Sequence, residues 1–188
     1  MVTVINDQKS RLHPHKFALW IGLASIVMMF AGLSSAYIVK RSQANWLTFD
    51  LPLIFWYSTA VIIISSITIM VSRKSFISRD MQAYKKWLII TTLLGIAFVF
   101  MQYIGFKQLW SNGITLSKNV SFSFLYILVG LHAVHVIGGV VALIIMWVKS
   151  LNQKIKTYSK IPVELINTYW QFVDFLWIYL LIFLLLIR

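Results

Sequence analysis

Cysteine is absent from the 188-residue chain, which excludes disulfide bonds, iron–sulfur clusters, thiolate copper centres and covalent c-type haem attachment. Acidic residues are also scarce, since 5 Asp and Glu stand against 17 Lys and Arg. With 12% charged residues and a mean hydropathy of +0.81, the chain is neither an ordinary water-soluble domain nor a disordered one. The class that remains is the polytopic membrane proteins.

Five apolar stretches hold most of the chain. Each reaches or exceeds the roughly 20 residues that an α-helix needs to cross about 30 Å of hydrocarbon. The connecting segments are too short for a separate soluble domain, and the first stretch is too long for a cleavable signal peptide. The sequence therefore predicts an all-α fold, a five-helix membrane bundle forming one domain over 1–188, with helices at about 17–39, 52–71, 87–106, 122–148 and 166–187.

Basic residues are divided unequally between the two sides of the predicted bundle. The N-terminal arm and the second and fourth connections carry twelve of them, whereas the other connections and the C-terminus carry five. By the positive-inside bias, the N-terminus is predicted to be cytoplasmic and the C-terminus periplasmic. Nucleic acid is not expected as a partner, because the basic residues form no face with interleaved aromatics.

Four polar residues lie within the predicted spans, where burial in lipid is costly: Gln102, His132, His135 and Asp174. Asp174 is the only acidic residue in any span, and Asp at a helix centre costs about 2.5 to 3.5 kcal/mol on insertion scales. It lies roughly 12 Å along the fifth span, so we expect it to be protonated or paired. We predict that the four side chains form an intramembrane polar network.

The spacing of His132 and His135 places both on one helix face, which could bring two imidazoles to one metal ion. The spans offer few other ligands, so the favoured interpretation is a hydrogen-bonding pair that docks the fourth helix on the third or fifth. No nucleophile with its base, no phosphate-binding glycine loop and no carboxylate pair is evident. We therefore expect no catalytic, cofactor or metal site in this chain.

Small residues cluster in the fourth span at Gly130, Gly138 and Gly139, and in the first span at 31–36. Such clusters permit close approach of helices. The alternative is that glycine and serine are simply commoner in membrane helices than in soluble ones.

Two runs of residues resemble a known family. The run from Gly130 to Gly138, GLHAVHVIG, is similar to the T-G-F-H-G-x-H-V-x-x-G motif of the cytochrome c oxidase subunit 3 family, subunit III of haem–copper terminal oxidases. The run from Tyr169 to Trp177, YWQFVDFLW, resembles the W-Y-W-H-F-V-D-x-x-W motif of the same family. The resemblance covers essentially the whole chain, in the short five-helix form of many bacteria.

Three positions depart from the family pattern. Gln171 replaces the usual His, Ala133 replaces a Gly, and Gly105 stands where a Glu is common. Glutamine donates and accepts hydrogen bonds but does not titrate, so no proton role is expected at position 171.

The resemblance implies a non-catalytic subunit that packs on oxidase subunit I, associates with subunit II, holds phospholipids and supports proton uptake and stability. It implies that haems and copper reside in the partner subunits, and that the membrane is the bacterial inner membrane. Candidates for contacts with lipid or with other subunits are Trp170, Gln171, Gly130, Gly138 and Gly139.

Two other functions stay open from the sequence. One is the related five-helix protein associated with nitric oxide reductase, which resembles this chain in fold and motifs. The other is a small transporter or proton channel that uses Asp174 and the two histidines as a relay.

Overall fold

A computed structural model describes residues 14–42, 51–114, 119–151 and 160–187. These residues form five α-helices and no strand. The helices are α1 (Pro14–Arg41), α2 (Ile54–Ile77), α3 (Met81–Ser111), α4 (Val120–Leu151) and α5 (Lys160–Ile187). All five are long and apolar enough to cross a membrane, which confirms the predicted number and type of elements. Residues 1–13 and 152–159, which carry part of the predicted cytoplasmic charge, lie outside the described residues.

The helices extend beyond the predicted spans. α3 and α5 each begin six residues earlier than predicted, and α2 ends six residues later. With 24 to 32 residues, the helices are about 36 to 48 Å long. That range brackets the roughly 40 to 45 Å of a bilayer with its headgroups. The predicted spans stopped at the first charged residues, whereas helical hydrogen bonding continues through the headgroup region.

A tight turn connects α2 to α3. The Asp80 carboxylate accepts a hydrogen bond of 3.0 Å from the Ala83 backbone N–H and so caps the start of α3. The preceding residue, Arg79, has a positive φ of 61°, which reverses the chain direction after α2. The short turn makes α2 and α3 antiparallel neighbours.

Helices α2, α3, α4 and α5 form a closed ring, in which each contacts the next and α5 returns to α2. Helix α1 packs outside this ring against α4 and α5, and within the described residues it makes no contact with α2 or α3. A cleft therefore opens between α1 and α2, with α5 as its floor.

The core of the bundle is built around α5. In the most apolar 18-residue stretch of α5, half of the residues are buried, whereas in the corresponding stretch of α1 only 17% are buried. The outward faces carry large apolar side chains such as Met28, Phe100 and Leu186, which suits contact with lipid chains.

Candidate functional site between the membrane helices

Trp170 of α5 occupies the centre of the ring. Its side chain is fully buried, and its indole N–H donates a hydrogen bond of 3.1 Å to the Ser65 hydroxyl on α2. The ring lies directly over Gly95 of α3 and Gly139 of α4, where an added Cβ would come within 2.6 Å and 2.9 Å of its carbon atoms. One side chain thus contacts three neighbouring helices, and two of them approach it closely because they lack a side chain there.

The prediction that Trp170 and Gly139 contact lipid or another subunit is wrong. Both residues are buried inside this chain, and they contact each other. Trp170 is the eleventh residue of α5 and lies about 15 Å along the helix from its start at Lys160. The close helix approach predicted from the glycine cluster is present at Gly139.

The other candidates of that group lie on more open surface. A Cβ added at Gly130 would meet nothing within 4 Å, and one added at Gly138 would lie 3.8 Å from the Tyr169 hydroxyl. Gln171 is half-buried and lines a groove described below. Contacts of Gly130, Gly138 and Gln171 with lipid or with another subunit stay predictions.

His132 of α4 is fully buried among aromatic rings. It stacks on Trp177 of α5 with ring centroids 5.2 Å apart, and it meets the edge of Phe98 of α3 at 6.0 Å. Neither ring nitrogen has a hydrogen-bond partner among the residues that the structure describes. His132 therefore joins α4 to α3 and α5, the helices expected from the sequence, by ring packing and not by the expected hydrogen bonds.

His135 is directed to a different neighbour. Its Nδ1 lies 2.7 Å from the Leu131 carbonyl oxygen of its own helix, and its ring meets Phe30 of α1 edge to face at 6.0 Å. The Tyr169 hydroxyl donates to the backbone carbonyl of His135 at 3.0 Å. The two histidines share a broad side of α4 but contact different helices. Among the described residues, no group of three or more His, Cys, Asp or Glu could hold a metal ion.

Gln102 connects α3 to α2. It is buried, and its side-chain N–H donates a hydrogen bond of 3.0 Å to the Ser58 hydroxyl, while its side-chain carbonyl oxygen has no partner within the described residues. A hydrogen bond between membrane helices contributes on average about 0.6 kcal/mol. Gln102 therefore acts in this structure as a clamp between two helices.

Asp174 is the most exceptional of the four polar residues. Only 3% of its surface is exposed, yet the Ser66 hydroxyl lies beside it without full hydrogen-bond geometry, and neither carboxyl oxygen has a hydrogen-bond partner among the described residues. It lies on α5 between two tryptophans that both have partners on α2, since Trp170 donates to Ser65 and Trp177 donates to Thr59 at 2.9 Å. The helix begins at Lys160, so Asp174 lies about 21 Å along it, near its midpoint. The roughly 12 Å expected from the sequence was counted from residue 166, and the helix begins six residues earlier.

The four polar residues are not joined to one another. No hydrogen bond links any two of them in the described part of the chain, and they occupy three different interfaces: α3 with α2, α4 with its neighbours, and α5 with α2. A functional role for Gln102, His132, His135 and Asp174 as a network stays a prediction.

Sequence reasoning missed the pairing of the α5 tryptophans with the α2 hydroxyls. Trp170 and Trp177 are seven residues apart, and their acceptors Ser65 and Thr59 are six apart on an antiparallel helix. Matching spacings on two helices were the available signal, because side chains about two turns apart return to the same face.

A second polar region lies where α1 and α5 begin and α2 approaches its end. Lys16 of α1 forms an ion pair of 2.6 Å with Glu164 of α5. Arg73 of α2, Trp20 of α1 and Thr168 of α5 line the same pocket of about 410 Å³. This pocket opens at the end of the cleft between α1 and α2. Sequence reasoning used Lys16 and Arg73 only to predict orientation.

The comparison with known families decides the identity of the bundle. The family model for cytochrome c oxidase subunit III matches residues 42–187, which include α2 to α5 and therefore the whole ring around Trp170. This chain belongs to the cytochrome c oxidase subunit III family. Members lack redox centres, in line with the ligand-poor interior of the described residues.

Individual relatives agree with this family. A protein of Nocardia farcinica named "Probable cytochrome c oxidase subunit 3" is 32% identical over 168 residues, which are 84% of this chain and 80% of that protein. A Mycobacterium bovis protein of the same name is 31% identical over 89% of this chain and 85% of its own length. A Staphylococcus haemolyticus protein named "Probable quinol oxidase subunit 3" is 26% identical over 93% and 91%.

Family membership and the five membrane helices establish the general role. The chain is a haem–copper oxidase subunit III and a multi-pass protein of the bacterial inner membrane. As a member of this family, it associates with other oxidase subunits.

Proposed function

We propose that this chain is the non-catalytic subunit III of a proton-pumping terminal oxidase that reduces oxygen to water. In this role it packs on subunit I, which with subunit II carries the haems and copper. It holds phospholipids and supports proton uptake and stability. The observation that carries the proposal is the family match over the complete α2–α5 ring.

Lipid holding is supported by the pocket at the end of the cleft. Lys16 and Arg73 offer positive charge for a lipid phosphate, Glu164 offers negative charge for an amine, and the ring of Trp20 is exposed at headgroup depth. Below this pocket, the groove between α1 and α5 becomes apolar, with Phe30 and Phe172 among its lining residues. A charged head over an apolar groove suits a phospholipid with its acyl chain along α5.

The charged residues around this pocket also support the predicted orientation of the chain in the membrane. Lys16, Arg73 and Glu164 lie together where α1 and α5 begin, so the basic N-terminal arm and the basic second connection of the predicted cytoplasmic side belong to one end. We place this end in the cytoplasm. Because the chain has no cysteine, single cysteines at Ser78 and Asn112 report the sides without background. A membrane-impermeant maleimide should label Asn112→Cys in intact spheroplasts and Ser78→Cys only after lysis.

The test of the function is purification of the tagged chain from native membranes in mild detergent. We expect mass spectrometry to identify a haem-bearing subunit I and a subunit II, with a reduced-minus-oxidised haem spectrum and oxygen consumption. The relatives carry both cytochrome c oxidase and quinol oxidase names, so assays with both donors identify the electron source. A chain that purifies alone and without haem would refute the proposal.

The lipid role has its own measurement. The double variant Lys16→Gln with Arg73→Gln should reduce the phospholipid that co-purifies with the complex, because the positive charges of the pocket are removed. Lys149→Gln is the matched control, since this exposed lysine ends α4 and does not line the pocket. Equal amounts of phospholipid in the wild type, the double variant and the Lys149→Gln control would contradict a lipid site in this pocket.

A further inference from the structure

The groove between α2 and α5 contains an unsatisfied polar position that faces outward from the bundle. Ser66 of α2 and Gln171 and Asp174 of α5 line it, together with apolar residues of both helices, and its volume is about 350 Å³. Within this groove, both oxygens of Asp174 lack a hydrogen-bond partner in the described part of the chain, although only 3% of the residue is exposed. Buried carboxyl groups without partners are rare in folded proteins, so this one indicates a missing group.

The missing hydrogen bonds of Asp174 do not arise from a gap between α2 and α5. One turn before and about one turn after it, Trp170 and Trp177 both donate hydrogen bonds to α2 hydroxyls. Helices α2 and α5 are therefore in close contact on both sides of Asp174. Between these two contacts the Ser66 hydroxyl of α2 lies beside the carboxyl group but does not have the geometry of a full hydrogen bond, and no basic residue lines the groove.

The rim of the groove is apolar and accessible from outside the bundle. Ile67 of α2 is 52% exposed and Phe175 of α5 is 74% exposed, and both line the groove. A partner can therefore cover the groove without any rearrangement of this chain. Exposed apolar rims around a polar centre are typical of interaction surfaces.

Depth identifies the kind of partner. Asp174 is the fifteenth of the 28 residues of α5, so it lies near the middle of a membrane-crossing helix. A phospholipid presents only hydrocarbon at that depth, and hydrocarbon forms no hydrogen bond with a carboxyl group. A polar side chain of another membrane helix is the ligand that remains, because buried polar side chains join helices within the bilayer.

We propose that the α2–α5 groove is a docking surface for a membrane helix of a neighbouring oxidase subunit, and that this helix inserts a hydrogen-bond donor against Asp174. Ser66 and Gln171 border the inserted group, while Ile67 and Phe175 pack along the partner helix. This inference rests on the proposed function, since it needs an oxidase subunit as the partner.

Photocrosslinking in the intact complex tests the surface directly. A benzophenone amino acid replaces Ile67 in one variant and Ile96 in the control variant. Ile67 is 52% exposed and lines the groove, whereas Ile96 is 46% exposed on α3 and does not line it, so the two probes match in residue type and exposure but differ in position. We expect irradiation to join the chain to another oxidase subunit from position 67, and to do so at least about fivefold less from position 96.

Substitutions at Asp174 test the polar contact. Asp174→Asn keeps a hydrogen-bonding group of the same shape, whereas Asp174→Leu removes it. We expect the ratio of partner subunits to this chain after purification to stay near its original value for the Asn variant. For the Leu variant we expect about a tenfold decrease, which corresponds to about 1.4 kcal/mol. Phe100→Leu is the control. When Asp174→Leu is purified without partner subunits, it should still have inserted into the membrane and remain monodisperse, because a costly polar group has been removed.

The outcomes separate this inference from the proposed function. An oxidase complex whose position-67 probe reacts with phospholipid or solvent, and not with a subunit, overturns the docking surface and leaves the subunit III role intact. Equal partner ratios in the Asn and Leu variants overturn the polar contact. A chain that purifies without any partner overturns both.

Discussion

The contact between Trp170 and two glycines makes a sharp prediction about packing. Replacing Gly139 by Ala places a Cβ 2.9 Å from two carbon atoms of the Trp170 ring, and replacing Gly95 by Ala places one 2.6 Å away. Both distances are shorter than a Cβ atom can approach another carbon atom without a shift in structure. The indole is rigid, and its N–H is held by the hydrogen bond to Ser65. The helices must therefore move apart, and insertion of a methyl group into a packed core costs about 1 to 3 kcal/mol.

The same substitution elsewhere on α4 supplies the control. At Gly130 an added Cβ meets nothing within 4 Å. There, Gly→Ala should leave stability unchanged or raise it by about 0.5 to 1 kcal/mol, because alanine favours the helix. The expected difference between Gly139→Ala and Gly130→Ala is therefore about 1 to 4 kcal/mol.

The assay is unfolding of the purified chain in mixed micelles of mild detergent and dodecyl sulfate, followed by circular dichroism. A second variant isolates the cause. Trp170→Phe shortens the ring, so Gly139→Ala should cost less in the Phe background than in the wild type, and a double-mutant cycle measures the coupling. Equal stability of Gly139→Ala and Gly130→Ala would refute the reasoning, as would strict additivity with Trp170→Phe.

Three further results are expected from the same unfolding assay. Ser58→Ala removes the hydroxyl that accepts from Gln102 and should lower stability by about 0.6 kcal/mol, with about 1.7 kcal/mol as the upper value known for membrane helices; a larger loss would contradict the clamp. Lys16→Gln breaks the ion pair with Glu164, but both side chains are partly exposed, so stability should change by less than about 1 kcal/mol. Arg79→Gly relieves the positive φ of 61° in the α2–α3 turn and should leave stability unchanged or raise it by up to about 1 kcal/mol; a decrease would show that the Arg79 side chain has a stabilising contact.

Residue patterns predicted some parts of the site well and others poorly. Gln102, His132 and Asp174 were selected because they are polar within apolar spans, and all three are buried between helices. Their partners could not be predicted in the same way. A membrane helix is apolar on most sides, so its sequence does not indicate which face turns inward, unlike the helix of a water-soluble protein.

The error at Trp170 has a related cause. Tryptophan near a helix end is typical of the membrane interface, and the fifth span was predicted to begin at residue 166. The helix begins at Lys160 instead, and Gly95 and Gly139 open a space that admits the whole ring. Two glycines on different helices become one site only after the helices pack.

The amino-acid sequence by itself determined that the chain is a five-helix membrane protein and a member of the subunit III family. These properties depend on the length and polarity of local segments and on two motifs within single helices. Tertiary structure decided which polar groups meet, that His132 and His135 contact different helices, and that the Asp174 carboxyl group has no full hydrogen bond to any of residues 14–42, 51–114, 119–151 and 160–187. Such contacts depend on the rotation of each helix about its own axis and on its neighbours, which local sequence leaves free.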